Sequence, residues 1–402
     1  MSSTKSSWKN PRTLLILMSI VMPFTFSIWQ VLLNNFAIES AAFTGAEIGI
    51  LQSLREIPGF LAFTAVFVLL VLKEQTFALI SLLLLSLGVA VTGFFPTEYG
   101  LYVTTVLMSI GFHYFETVKS SLSLQWLSKE EAPAFLGRLI SVGSFSALVA
   151  FGSVWVLFQW LELDYQWLYL FGGGVGLALV VIMWTMFPHF ESKVPQNKHL
   201  VLRKRYWLFY LLTFMSGARR QIFVVFAAFM MVEKFGYGVA EISLLFIINH
   251  LLSLFLAPKI GRLIGRIGER RALTIEYTGL ILVFAGYALV ENAYVGATLY
   301  VIDHIFFAMA IAIKTYFQKI ADPADIASSS GVSFTINHIA AVVIPALFGM
   351  IWLINPSAVF YTGAAMALIS LLLSRNIPAN PEPGNEVVIG GQIQLNPQKS
   401  KV

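Results

Sequence analysis

PHFESKVPQNKHLVLRKR, residues 188–205, is the longest internal polar stretch in a 402-residue chain that is otherwise greasy. Hydrophobic residues make up 57% of the sequence and charged residues 12%, and the mean hydropathy is +0.78. Soluble domains carry about 25% charged residues. No aqueous core hides this much apolar surface, so lipid must be the solvent. On both sides of 188–205 the apolar runs reach the ~20 residues that a membrane-spanning helix needs. Spans are expected at 12–37, 45–72, 75–95, 99–125, 135–160 and 165–187 before it, and at 206–232, 239–258, 272–290, 295–318, 329–354 and 356–374 after it. The expected fold class is therefore an all-α membrane protein of twelve transmembrane helices in two pseudo-symmetric six-helix halves. Residues 1–187 and 206–374 form the halves, 188–205 the central cytoplasmic loop, and 375–402 a Pro-, Gly- and Asn-rich tail expected to be disordered.

Charge orients this topology. The loops on the side of both termini hold nearly all the basic residues, from Lys5, Lys9 and Arg12 through Lys73, Lys129, Arg138 and Arg203–Arg205 to Arg262, Lys319 and Arg375. The opposite loops hold only Lys234. Positive-inside bias then places both termini in the cytoplasm of a multi-pass protein of the plasma (inner) membrane. It also accounts for the net charge of +5 without nucleic acid, because the basic residues face anionic headgroups. The absence of cysteine excludes disulfides, thiolate metal sites and cysteine nucleophiles. The polar start MSSTKSSWKNPR runs into a span with no small-residue cleavage site, so no cleavable signal is expected.

The halves retain a faint likeness. AEIGILQSLRE (46–56) aligns with AEISLLFIINH (240–250), LYVTTVL (101–107) with LYVIDHI (299–305), and SFS (144–146) with SFT (333–335). Their shared order points to a duplication of the kind common in transporters. GRLIGRIGERR (261–271) is more specific: it resembles the signature loop of the major facilitator superfamily. Gly261, Arg266, Gly268, Arg270 and Arg271 fit that pattern, whereas Gly265 stands where an aspartate is expected and Glu269 interrupts the basic end. The N-terminal copy is reduced to LKEQ (72–75). The resemblance implies a gating loop at these glycines and arginines, without its usual ion-pair lock. It also implies a central cavity lined by spans 1, 2, 4, 5, 7, 8, 10 and 11, and alternating-access secondary transport by a monomer that needs no cofactor.

Buried polar residues sort as that scheme requires. Arg55 and Glu56 fall on span two, His113, Glu116 and Lys119 on span four, and Arg219 and Arg220 on span seven. Asn249 and His250 fall on span eight, Asp303, His304 and Lys314 on span ten, and Asn337 and His338 on span eleven. Spans 3, 6 and 12 have uncharged interiors, and span nine carries only Glu276 near one end. An ionised group at bilayer depth costs at least ~2.5–3.5 kcal/mol, so such residues mark function or paired structure. Gln52, Arg55 and Glu56 share one helical face by their i, i+3, i+4 spacing. Consecutive Arg219 and Arg220 lie about 100° apart, so both cannot address one ligand and one is expected to pair with a carboxylate or backbone carbonyls. Arg55 with Glu56, and Glu116 with Lys119, can equally neutralise each other across a helix interface, and Asn249 and Asn337 can serve as interhelical hydrogen-bond glue.

The cations Arg55, Lys119, Arg220, Arg219 and Lys314 outnumber Glu56, Glu116 and Asp303, which favours an organic anion as solute. Proton coupling is the expected energy source, with Asp303, His304, Glu56 and Glu116 as candidate carriers. Four of the six histidines sit at membrane depth, yet no two stand at i, i+4 and no cysteine assists them, so the spacing offers no metal site. Multidrug efflux is the alternative. Span five, SVGSFSALVAFGSVWVLF, lacks the proline of the drug-pump signature, and span four lacks its arginine. A metal-ion carrier and a non-transporting receptor follow further behind. An enzyme is not expected, because no nucleophile–base set or His-Glu-x-x-His motif is present.

Overall fold

A computed structural model describes residues 8–43, 45–191, 194–237 and 239–389. The described residues form twelve helical rods. In the first half these are α1 (Pro11–Ala41), α2 (Gly45–Phe60), α3 (Glu74–Thr92), α4 (Glu98–Trp126), α5 (Ala132–Gln159) and α6 (Tyr165–Met186). In the second half they are α7 (Lys204–Glu233), α8 (Val239–Ile267), α9 (Glu269–Leu289), α10 (Ala293–Ile320), α11 (Ile326–Ile354) and α12 (Pro356–Ser374). Among the described residues, ten are long and apolar enough to cross a membrane by length and composition. The other two rods, α4 and α11, have 29 residues each and pack within the same bundle.

Local chemistry sets the ends. Asn10 caps α1 by accepting from the Thr13 N–H at 3.0 Å, with Pro11 at the first helical position, where its missing N–H costs nothing. Asn292 does the same for α10, accepting from the Tyr294 and Val295 N–H groups. Pro58 removes a donor inside α2, which ends two residues later at Phe60; the rod then tightens into a 3-10 turn at Leu61–Thr64 before a last helical turn at Ala65–Val68. In α7, a π-helical stretch at Ile222–Ala227 begins two residues after Arg220. A second break, the 3-10 turn Ala308–Ala310, interrupts α10 between Asp303 and Lys314.

The halves meet at the basic end. There α5 and α8 approach backbone to backbone: a Cβ on Gly137 would lie 2.3 Å from the Ala257 carbonyl oxygen, and one on Gly261 2.2 Å from that of Pro133. Small residues permit such contact where lipid gives helices no hydrophobic reason to associate. The Gln318 side chain donates to the Leu124 and Leu127 carbonyls at 2.7 and 2.9 Å, Lys129 to the Lys319 carbonyl at 3.0 Å, and Ser141 to the Leu254 carbonyl at 2.5 Å.

This corrects the reading of 261–271 as a loop. Gly261, Gly265 and Arg266 lie within α8, Arg270 and Arg271 within α9, and the turn is Gly268 alone at φ +81°. A left-handed backbone there is open to glycine without a side-chain clash. Glu269, which seemed to interrupt the basic end, is 2% exposed and pairs with Lys319 at 2.7 Å.

The central connection is pinned rather than loose. Gln75 of α3 donates to the Pro188 carbonyl and accepts from the Phe190 N–H. Asp325, fully buried between α10 and α11, accepts from Asn197, Arg203 and Tyr206. The tail is also corrected up to residue 389. Ile377 and Val387 are buried, Tyr316 donates to the Glu386 carbonyl at 2.6 Å, and the Val388 N–H donates to the Asn376 carbonyl. Pro and Gly made this segment read as disordered, but its turns let it fold back on the bundle. Residues 390–402 lie outside the described residues.

Burial alone pushes the Asp325 carboxyl up, but hydrogen bonds from Arg203, Tyr206 and Asn197 outweigh it and hold the group below its ordinary value. A lowered carboxylate contributes stability that is present above its unfolded-state value and is lost as pH falls through the folded one. Melting of the purified protein in detergent is therefore expected to weaken below about pH 4, and Asp325→Asn is expected to remove that component. At neutral pH the substitution is expected to cost about 2–3 kcal/mol, limited because Arg203, with its side chain 43% exposed, can turn to water.

Candidate functional site

Halfway along α2, the Arg55 guanidinium binds one oxygen of Glu56 at 2.6 Å. The other oxygen, Oε2, faces two imidazoles: His113 of α4 with Nε2 at 3.9 Å, and His338 of α11 with Nε2 at 3.7 Å. Each ring is oriented through its Nδ1. Ser109 donates its hydroxyl proton to the Arg55 carbonyl, so its Oγ is left to accept from His113 Nδ1 at 2.9 Å, with the Ser109 carbonyl at 3.0 Å. His338 Nδ1 meets only an acceptor, the Phe334 carbonyl, at 2.8 Å. Carbonyl acceptors at both Nδ1 atoms favour the Nδ1–H tautomer, which leaves each Nε2 without a proton within 4 Å of Glu56 Oε2. Gly59, one turn beyond Glu56, makes room: a Cβ there would sit 2.3 Å from the His338 ring and 2.7 Å from that of His113.

Arg220 of α7 and Lys314 of α10 are exposed although they lie at the centre of the bundle. Although they belong to the second half, their charges act on residues of the first: Arg220 on Glu56, Arg55 and Glu116, and Lys314 on Glu116 and Lys119. Both therefore face the space between the halves. Glu116 is bound by Lys119 at 2.9 Å, whereas Arg220 and Lys314 have no hydrogen bond or ion pair among the described residues. The cations of this space are Arg55, Lys119, Arg220 and Lys314, against the carboxylates Glu56 and Glu116.

Arg219 turns the other way. It is 3% exposed inside the second half, with Glu276 of α9 at 3.7 Å, the Tyr277 ring at 4.6 Å and a hydrogen bond to Ser370 of α12. Asp303, 2% exposed, lines the same small cavity of about 30 Å3 and lies within electrostatic range of both Arg219 and Glu276. Asp303 Oδ2, Glu276 Oε2 and Arg219 Nε have no hydrogen-bond partner among the described residues. The volume suffices for a water molecule.

The expected site thus divides into two. Arg55, Glu56, His113, Glu116, Arg220, Lys314 and His338 meet between the halves, while Arg219 and Asp303 belong to the interior of the second half. His304 bonds Ser253 of α8 at 3.0 Å, and Asn249 is 3% exposed with Oδ1 unpartnered among the described residues. His250 packs edge-on against Phe151 of α5, and Asn337 lies against Gly217 of α7. None of these four joins the Glu56 cluster. Glu276 lies outside the expected site because span nine is not among the cavity-lining spans, yet it is the lone charge of that span.

Residues 13–345 match the family model described as Major Facilitator Superfamily. No curated protein matches the chain. Among solved structures, FucP in the outward conformation is 14% identical, with 92% of this chain and 99% of that one covered and a TM-score of 0.74. The proton:xylose symporter XylE bound to 6-bromo-6-deoxy-D-glucose is 10% identical, with 94% and 97% covered and a TM-score of 0.75. The human organic anion transporter MFSD10 (TETRAN) is 11% identical, with 90% and 98% covered and a TM-score of 0.72. At these identities the likeness speaks for the fold.

Proposed function

The chain belongs to the major facilitator superfamily and is a secondary transporter; from that premise we propose that it carries a small organic anion by alternating access, coupled to protons. The observation that carries the reading is the pair Arg220 and Lys314, cations between the halves with no partner of their own among the described residues. Unpaired charges at bilayer depth are costly, and a solute carboxylate or phosphate relieves that cost. Arg55 and Lys119 add to the field while being held by Glu56 and Glu116. The structural neighbour MFSD10 is an organic anion transporter, and XylE a proton symporter.

Protons enter through Asp303. Arg219 balances one of the two buried carboxylates, Glu276 and Asp303, so the cluster lacks one positive charge, which a proton supplies. Arg219 and Arg220 are consecutive on α7, so a change of charge inside the second half moves the helix that presents Arg220 to the solute. The adjoining π-helical stretch offers α7 a place to rewind. The basic end faces the cytoplasm of the plasma membrane, with both termini inside, and the monomer is the transporting unit.

A thermal-shift screen of purified protein tests the solute class. Small carboxylates and phosphate esters are expected to raise the melting temperature, by the equivalent of about 2.7 kcal/mol at a hundred times Kd, and to lose the effect in Arg220→Ala. Stabilisation by neutral sugars alone, undiminished in that variant, would reject the anionic solute.

A further inference from the structure

We propose that Glu56, His113 and His338 form a binding site for a divalent transition-metal ion of the Zn2+ type, and that the bound ion ties the two halves together. The three donor atoms lie within 4.8 Å of one another. They come from α2 and α4 of the first half and α11 of the second. Two imidazoles and a carboxylate are a donor set that Zn2+ takes readily, leaving a fourth position open to water or to a solute carboxylate.

The hydrogen bonds decide what belongs between them. Both Nδ1 protons go to oxygen acceptors, so Glu56 Oε2 and the two Nε2 atoms form a ring of three acceptors with no donor among them. A bound cation would satisfy all three acceptors at once. At 3.9 and 3.7 Å the Nε2–Oε2 separations exceed the 2.7–3.2 Å of a hydrogen bond, so a proton does not bridge them. With bonds of about 2.0–2.1 Å, tetrahedral ligands stand roughly 3.3 Å apart, so the two gaps to Oε2 need to close by about half an ångström and the gap between the imidazoles by up to about 1.5 Å. The rings are already held as metal-bound histidines usually are, with the far nitrogen on a carbonyl. Arg55 fixes the other Glu56 oxygen, and the bare Gly59 backbone leaves both rings space to move inward. The nearby charges of Arg55 and Arg220 oppose a dication and moderate its affinity. The inference does not depend on the identity of the transported solute.

Calorimetric titration of the full-length protein with ZnCl2 tests the site. The wild type is expected to bind one Zn2+ per chain. His338→Gln and Glu56→Gln are expected to bind it at least tenfold more weakly. Ser109→Ala, which removes no ligand but frees the His113 ring, is expected to lose about 10–100-fold, so the test survives if a ligand variant fails to fold. The chain lacks cysteine, so spin labels on Ile38→Cys and Val232→Cys, at the far ends of α1 and α7, can report the separation of the halves. Zn2+ is expected to narrow that distance distribution to one population in the wild type and to leave His338→Gln unchanged. Absence of Zn2+ binding, equal affinity in all variants through exposed His189 or His199, or a distance distribution indifferent to Zn2+ would each overturn the proposal.

Discussion

Arg220→Ala is expected to abolish binding of any stabilising organic anion while the protein still folds, whereas Arg219→Ala is expected to destabilise the fold itself. The two arginines are neighbours in sequence and opposites in surroundings. Arg220 is exposed and has no hydrogen bond or ion pair among the described residues, although it also borders the cavity of Arg219, so on the proposed function its removal chiefly deletes a contact to solute. Losing one partner of a desolvated, hydrogen-bonded charge pair costs about 2–5 kcal/mol, or roughly 30- to 4,000-fold in affinity. Arg220→Lys keeps the charge but not the fork of donors, and is expected to fall between. Arg219 is 3% exposed and is the counter-ion of buried Glu276. Deleting it strands that carboxylate, a change that costs about 3–5 kcal/mol and is to be read as a fall in melting temperature in detergent. Ligand-induced shifts and unliganded melting curves of the two variants separate the roles. Full ligand affinity in Arg220→Ala would remove it from the solute site.

The contrast marks where sequence reasoning stopped. A bilayer imposes one length scale on every span, so the apolar runs and the polar 188–205 stretch made the twelve rods and two halves legible. Helical geometry also told that Arg219 and Arg220 diverge, but not which one turns inward, because that depends on Glu276 of another helix. Gly261 and Gly265 read as a loop because glycine costs about 1 kcal/mol in a solvated helix. Within a packed bundle the same lack of side chain lets α8 lie against α5, so the helix continues to Ile267. The Glu56–His113–His338 cluster was out of reach for a related reason. A search for i, i+4 histidines finds sites built on one helix, whereas this one depends on the mutual register of three.

Asp303→Asn is expected to leave solute exchange running while abolishing accumulation driven by a pH gradient. The side chain keeps its shape and loses the capacity to carry a charge, so it imitates the protonated state of the Arg219–Glu276–Asp303 cluster. On the proposed coupling, the wild-type cluster alternates between a net negative charge and neutrality. The unbalanced charge costs at least ~2.5–3.5 kcal/mol at bilayer depth, which gives the proton a free-energy lever on α7. In the variant that lever is fixed in one position. Solute still meets Arg220 and Lys314, so counterflow in proteoliposomes is expected to persist, because exchange needs no net proton movement. Uphill uptake with an imposed gradient is expected to collapse to the equilibrium level. Glu276→Gln, in contrast, leaves Arg219 balanced by Asp303, so it is expected to weaken the gradient response as well. Wild-type accumulation by Asp303→Asn would move the proton site to Glu116 or Glu56, the carboxylates that face the solute. Indifference of the wild type to the gradient would end proton coupling altogether and leave the cluster a purely structural pairing of buried charges.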